Sequence, residues 1–177
     1  VSFTSNIEDD LKRRDFTINA MALKVEPLQN AQGSTFNIVD LFGGQKDLEN
    51  KIIRTVGSPD ERFQEDALRM IRAVRFASEL GFNVTQETKD SLKKQSHLLK
   101  MIAKERISDE FSKILMSESP DKAFETMRET GILKYVLPEL EEGWKIDQNK
   151  NHKFDVWEHN VRALMHAVRS GFPLEIR

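Results

Sequence analysis

Two stretches of this sequence carry side chains whose types and spacing suit chemistry. The first is Glu65-Asp66-Ala67-Leu68-Arg69-Met70-Ile71-Arg72-Ala73-Val74-Arg75-Phe76. At helical spacing Ala67, Met70, Ile71, Val74 and Ala77 fall within one arc of about 120°, with Glu65, Asp66, Arg69 and Arg72 opposite. Asp66 and Arg69 stand three apart, so on a helix a carboxylate acceptor lies beside a planar guanidinium donor, a pair able to face the Watson–Crick edge of a base. Arg72 and Arg75 continue along the flank, where guanidinium forks suit phosphate oxygens. The same residues also read as an ordinary solvated face with surface ion pairs, each worth about a few tenths of a kcal/mol.

The second stretch is Lys12-Arg13-Arg14-Asp15-Phe16-Thr17-Ile18-Asn19-Ala20. Its cations could meet a triphosphate and Asp15 a ribose hydroxyl, or the run could be a basic flank balanced by Glu8, Asp9 and Asp10. Asp40-Leu41-Phe42-Gly43-Gly44-Gln45-Lys46-Asp47-Leu48 joins a strand to a helical turn through paired glycines that permit a turn or hinge; no Gly-Lys-Ser/Thr follows, so it is not a phosphate loop. The four histidines show no zinc-ligand spacing, although His159 and His166 could share a helix face. Trp144, Phe154 and Trp157 read as core anchors. No strand-borne Asp-x-Asp is present, and Asp9 and Asp10, being adjacent, would point to opposite faces of a strand.

The elements that must position these groups change character along the chain. Alternation at Ile18, Ala20 and Ala22, then Phe36, Ile38 and Leu41, then Ile52, Ile53 and Val56, predicts three strands, with a hairpin loop over Glu26 to Ser34. From Ser58 the pattern is helical. Ser58-Pro59-Asp60-Glu61 predicts a capped helix start, Ser119-Pro120-Asp121 repeats the device, and Gly81 and Gly131 mark helix ends. Further helices are expected after Thr85, over Ile107 to Met116 and over Asp155 to Val168. The reading is α+β, mostly α, with boundaries near Gly57 and, more softly, across the polar run from Glu141 to Lys153.

The chain has 177 residues, room for one domain or two small ones. With 38% hydrophobic and 32% charged residues it is a folded globular type, and its longest apolar run, Ala20 to Leu23, is far short of a membrane span. It has no cysteine, which excludes disulfides and thiolate metal sites. The net charge of −2 means that any affinity for nucleic acid must come from local clusters of cations.

Taken together, Arg13 to Ala22, Asp40 to Leu48, Glu65 to Ala77 and Lys104-Glu105-Arg106-Ile107-Ser108-Asp109-Glu110-Phe111 resemble, in order, the second to fifth motifs of the bacterial class II tRNA nucleotidyltransferases, the CCA-adding and A-adding enzymes of the poly(A) polymerase family. The resemblance covers about residues 1–140. It implies the end of a palm-like head over 1–56, a helical neck over 57–140 and the start of an HD-like helical body over 141–177. It implies that Asp66 and Arg69 pair with the base of incoming ATP or CTP, that Arg14, Arg72 and Arg75 contact its phosphates or sugar, that Asp15 helps select ribose and that Asn19 supports the same pocket. Arg106 and Glu110, four apart, are expected to form a structural brace. The tRNA 3′ end is the implied partner, the cytoplasm the implied location, and no membrane is involved.

The family's first motif, whose Asp-x-Asp holds Mg²⁺, would precede Val1, so the resemblance assigns no catalytic or metal residue to this chain. An internal fragment of such an enzyme is therefore expected, binding nucleotide or tRNA weakly without turnover. A non-catalytic RNA-binding or scaffold module, a poly(A) polymerase and the front of an HD-type hydrolase, suggested by Val156-Trp157-Glu158-His159-Asn160, are the alternatives. Oligomeric state is not legible.

Overall fold

The computed structural model describes residues 6–27, 34–147 and 153–177. Helix α1 (Ile7–Lys12) is capped by Asn6, whose side chain accepts from the Glu8 amide at 3.0 Å. Strands β1 (Met21–Pro27) and β2 (Ser34–Asp40) form an antiparallel hairpin running in register from Met21↔Asp40 to Pro27↔Ser34. The expected hairpin is thus present, and the residues of its loop, 28–33, lie outside the described ones. Leu23 and Val25 face Ile38 and Phe36 across this ladder, and all four are exposed.

The first expected strand is displaced. Thr17–Asn19 forms a 3₁₀ turn, and extended structure begins only at Met21. Asp15, Phe16, Thr17 and Ile18 are all buried, which a half-exposed strand with alternating faces cannot achieve. Specific bonds hold this turn. The Thr17 amide donates to the Arg54 carbonyl at 2.9 Å, and its hydroxyl donates to buried Asp47 at 2.5 Å. Arg54 donates from Nε to the same Asp47 oxygen at 2.9 Å and from Nη2 to the Phe42 carbonyl at 2.8 Å. Asp40 caps α2 (Gly44–Glu49), accepting from the Gly44 amide at 2.8 Å and the Gln45 amide at 2.9 Å.

Strand β3 (Ile52–Ile53) stops before Val56, which is nonetheless buried. It pairs in parallel with β4 (Asn83–Val84), so a short sheet crosses the compositional boundary at Gly57. Helix α3 (Pro59–Glu65) begins where Ser58-Pro59 requires, but the Ser58 hydroxyl makes no cap bond; the fixed φ of proline starts the helix. The same holds for Ser119 before α7 (Pro120–Glu129).

The stretch expected as one helix over Glu65 to Phe76 is two. Asp66 takes an extended conformation at φ −152°, ψ 104°, and α4 (Leu68–Leu80) starts after it. The cause is local: Asp66 Oδ1 accepts from the Leu68 amide at 3.1 Å, a side-chain bond that replaces a helical one. Helices α5 (Gln86–Gln95), α6 (Lys104–Met116), α7, α8 (Leu133–Val136), α9 (Pro138–Glu142) and α10 (Val156–Arg169) follow.

The core runs through the helical part of the chain. Phe63 of α3 and Met70, Ile71 and Val74 of α4 belong to one buried cluster with Leu92, Ile107, Ile114, Phe124 and Met127. The arc expected on α4 is therefore the packed one. Trp157 of α10 lies in the same cluster, edge-on to Phe124 at 6.5 Å and to Trp144 at 5.8 Å, so the described residues after 141 share the core of the preceding helices. Trp157 is the core anchor expected, whereas Trp144 is 37% exposed and stacks with the Arg128 guanidinium 3.6 Å from its ring centre. The polar run expected as a linker lies partly in residues 148–152, outside the described ones.

Two predictions follow from this packing. A Cβ on Gly44 would sit 2.3 Å from the Thr17 carbonyl oxygen, whereas one on Gly81, at φ +67°, would meet nothing within 4 Å. Gly81→Ala should cost about 1–2 kcal/mol from backbone strain alone, and Gly44→Ala, which must push the 17–19 turn off α2, about 2–3 kcal/mol; urea denaturation midpoints would rank them. The second concerns Asp60, which ties α3 to α5 by accepting from Lys94, from the Ser91 hydroxyl at 2.5 Å and from Gln95 at 3.0 Å. The Lys94 and Ser91 bonds hold its carboxyl below the ordinary 3.8. A lowered folded-state pKa stabilises above the unfolded value and is lost as pH falls through the folded one. The deficit of Asp60→Asn relative to the parent chain should accordingly be constant near neutrality and close as pH drops below 3.8, read from thermal midpoints across that range.

Candidate functional site

The end of α1, the 15–20 turn, the start of α4 and the first turn of α6 converge on a cleft of about 470 Å³ lined by Arg13, Arg14, Asp15, Asn19, Asp66, Leu68, Arg69, Arg72 and Arg106. The volume suits a small ligand. Five arginines face two aspartates there, so a chain of net charge −2 carries a local excess of cations in this cleft.

Each charged group has a definite position. Asp15 is buried. Its Oδ1 accepts from the Phe16 amide at 3.0 Å, and its Oδ2 accepts from Arg72 Nε at 2.7 Å, with Nη2 of the same guanidinium in ion-pair contact at 2.7 Å. Arg72 thus reaches from α4 to the 15–20 turn, and its guanidinium also lies 5.2 Å from the Phe76 ring centre. Arg14 folds back on Asp10 one turn earlier in α1, at 2.8 Å with both side chains about half exposed. Asn19 lies at the end of the 3₁₀ turn, its amide donating to the Phe16 carbonyl at 3.0 Å.

Arg69 is tied on three sides. Its Nη1 pairs with Glu65 at 2.6 Å and donates to the Arg62 carbonyl at 3.2 Å, and its Nη2 donates to the Arg13 carbonyl at 3.1 Å. Arg62 likewise donates to the Lys12 carbonyl at 3.2 Å. Guanidiniums from α3 and α4 therefore grip the carbonyl end of α1, where helix-end oxygens lack intrahelical partners. Asp66 and Arg69 both line the cleft but are not helix neighbours, because Asp66 precedes α4; the Arg69 amide donates to the Asp66 carbonyl at 3.0 Å, which keeps them in one turn.

Arg75 is not brought into this cleft. Its Nε lies 2.9 Å from Glu110 Oε2, an ion pair too poorly aligned for a hydrogen bond, and its guanidinium sits 4.3 Å from the Phe76 ring centre. The expected Arg106–Glu110 brace does not form. Glu110 turns inward, where it also pairs with Lys113 at 3.0 Å, while Arg106 turns to Asp66 Oδ2 at 2.9 Å. Physically, Glu110 falls on the apolar arc of α6 with Ile107 and Ile114 and Arg106 does not. That position was the sequence signal for a buried charge; nothing in the sequence marked Arg106 as a cleft residue.

The described residues do not suit a divalent cation. No group of three His, Cys, Asp or Glu side chains among them could hold a metal, and both cleft carboxylates are already engaged by guanidiniums.

Comparison with known proteins fits this geometry. Residues 1–54 match the poly A polymerase head domain, and residues 81–143 match the probable RNA and SrmB-binding site of polymerase A. The CCA-adding enzyme of Bacillus subtilis is 48% identical over 130 residues, covering 73% of this chain and 30% of that protein. The CCA-adding enzyme of Ligilactobacillus salivarius is 50% identical over 135 residues, covering 76% and 31%. In structure, the Bacillus stearothermophilus CCA-adding enzyme in complex with CTP superimposes with a TM-score of 0.70 at 40% identity, over 81% of this chain and 35% of that one. The Thermotoga maritima CCA-adding enzyme complexed with tRNA gives a TM-score of 0.70 at 28% identity, over 94% and 37%. The chain spans about a third of the length of these relatives. Head-domain and RNA-binding matches in the expected order, and the shared fold around the arginine-lined cleft, place it in the poly(A) polymerase family, among the bacterial class II CCA-adding nucleotidyltransferases.

Proposed function

We propose that this chain is the base-selecting part of a cytoplasmic tRNA nucleotidyltransferase that extends the tRNA 3′ end from CTP and ATP without a nucleic-acid template. The observation that carries the proposal is the placement of Asp66 and Arg69 in one turn at the cleft, a carboxylate acceptor beside a guanidinium donor. Cytosine and adenine share a Watson–Crick pattern, an exocyclic amino donor next to a ring-nitrogen acceptor. Uracil and guanine present a carbonyl acceptor next to a ring N–H donor. An Asp/Arg pair is complementary to the first pattern and repels the second, so one protein surface accepts both C and A.

The surrounding residues suit the rest of a nucleotide. Arg14 and Arg72 offer guanidinium forks to phosphate, Asp15 an acceptor to a ribose hydroxyl, and Asn19 a polar group beside it. Arg75, paired with Glu110 away from the cleft, supports α4 in this scheme and does not touch the nucleotide. The segments proposed as head, neck and body, 1–56, 57–140 and 141–177, then meet where β3 joins β4 and where Trp157 enters the core. Mg²⁺ in the whole enzyme would be held by residues other than those described here, and it would supply charge stabilisation during phosphoryl transfer.

Equilibrium binding of CTP, ATP, UTP and GTP to the 177-residue chain, followed by calorimetry, tests the assignment. CTP and ATP should bind about tenfold more tightly than UTP and GTP, and the preference should vanish in Asp66→Ala and Arg69→Ala. Equal affinity for all four nucleotides would sink the proposal.

A further inference from the structure

We propose that Arg106 is the positioning residue for base selection: from the first turn of α6 it fixes the plane of the Asp66 carboxylate. The inference rests on the assignment of Asp66 as a base acceptor. A carboxylate at the end of one Cβ–Cγ bond rotates freely, and a rotating acceptor cannot discriminate one donor–acceptor pattern from another. Asp66 does not rotate. Its Oδ1 accepts from the Leu68 amide at 3.1 Å and its Oδ2 from Arg106 Nη2 at 2.9 Å, so both oxygens are pinned while each keeps a second lone pair for a base. The two donors come from different helices, α4 and α6, and the orientation of Asp66 therefore reports the distance between them.

The alternative is that Arg106 serves only to hold the helices together. Its exposure argues against this. The Arg106 side chain is 52% exposed and that of Asp66 34%, and an ion pair so open to water adds little to stability. The helices are already joined by the packing of Met70, Ile71 and Val74 against Ile107 and Ile114, and by the Arg75–Glu110 pair beneath it. A guanidinium that lines the cleft, contributes little to the fold and bonds the selecting carboxylate has orientation as its remaining role.

Binding of CTP, ATP, UTP, GTP and inorganic triphosphate to the parent chain and to Arg106→Ala, Arg106→Lys, Asp66→Ala and the Arg106→Ala/Asp66→Ala double variant reads this directly. Arg106→Ala should reduce the preference for CTP and ATP about tenfold, by more than any loss of triphosphate affinity. Arg106→Lys should recover part of the preference, since an ammonium restores charge without the planar fork. In the double variant the removal of Arg106 should add nothing to the loss in Asp66→Ala. Survival of the preference in Arg106→Ala, additive losses, or an equal loss for all nucleotides and for triphosphate would overturn the role of Arg106 alone. Absence of any preference in the parent chain would overturn the assignment of Asp66, and this inference with it.

Discussion

The pair between Asp15 and Arg72 ties the two halves of the cleft together. Asp15 belongs to the head turn, where its own carbonyl accepts from the Val56 amide at 3.0 Å, and Arg72 sits on the second turn of α4. Both Nε and Nη2 converge on one carboxylate oxygen, and the Phe76 ring beneath the guanidinium stacks edge-on against Phe16 at 5.7 Å. A buried acid left without its cation costs about 3–5 kcal/mol; here the arginine is 31% exposed, so water would screen part of that and the penalty falls to about 1–3 kcal/mol. This remains a large share of the stability of a small protein. The pair joins the 15–20 turn to α4 on one side of the cleft, as the Arg106–Asp66 pair joins α6 to the turn before α4 on another.

A second layer of charge lies below the first. Glu110, buried on the apolar side of α6, faces Arg75 at 2.9 Å, Lys113 at 3.0 Å and, more distantly, Arg72 at 4.0 Å. A lone carboxylate in that position would be strongly destabilising, and the three cations around it offset part of that penalty, although its Oε2 accepts no hydrogen bond. Because Arg72 and Arg75 both come from α4, the arrangement sets the register of α4 against α6. That register decides where Arg106 arrives relative to Asp66. The arginines of α4 therefore divide by partner: Arg75 inward to Glu110, Arg72 to Asp15 at the joint, and Arg69 to Glu65 and the end of α1.

Much of this was legible in the sequence, for reasons that can be named. The buried arc of α4 follows from period alone, because a helix packed on one face must repeat its apolar residues at 3.6. Proline starts and glycine stops located α3, α4 and α7 because they act through φ, which a residue type fixes locally. What period could not supply was competition between a side chain and the backbone. Asp66 breaks the helix by bonding the Leu68 amide, and Thr17 abandons a strand for Asp47, a partner 30 residues away. The members of the cleft were read from motifs, and four of the five arginines that line it lie in the two stretches that spacing had singled out. The fifth, Arg106, joins them only through the folding of α6 across α4, a contact 40 residues long in sequence that no local pattern encodes.

The strengths of the existing pairs also rank the cleft's cations by availability. Arg14 and Asp10 form an exposed pair one helical turn apart, of a kind worth about 0.3–0.5 kcal/mol. A triphosphate, bringing several charged oxygens, would displace Asp10 from Arg14 at almost no cost. Arg72 differs, since drawing it away would leave Asp15 buried and charged without a partner. Its Nε and Nη2 face Asp15, and its Nη1 lies 4.0 Å from Glu110, so the whole fork is turned to carboxylates of the fold. An anion entering the cleft would thus draw on Arg14 before Arg72. An anion that moved Arg14 would leave the joint between Asp15 and Arg72 intact, which is the order that the two pair energies dictate.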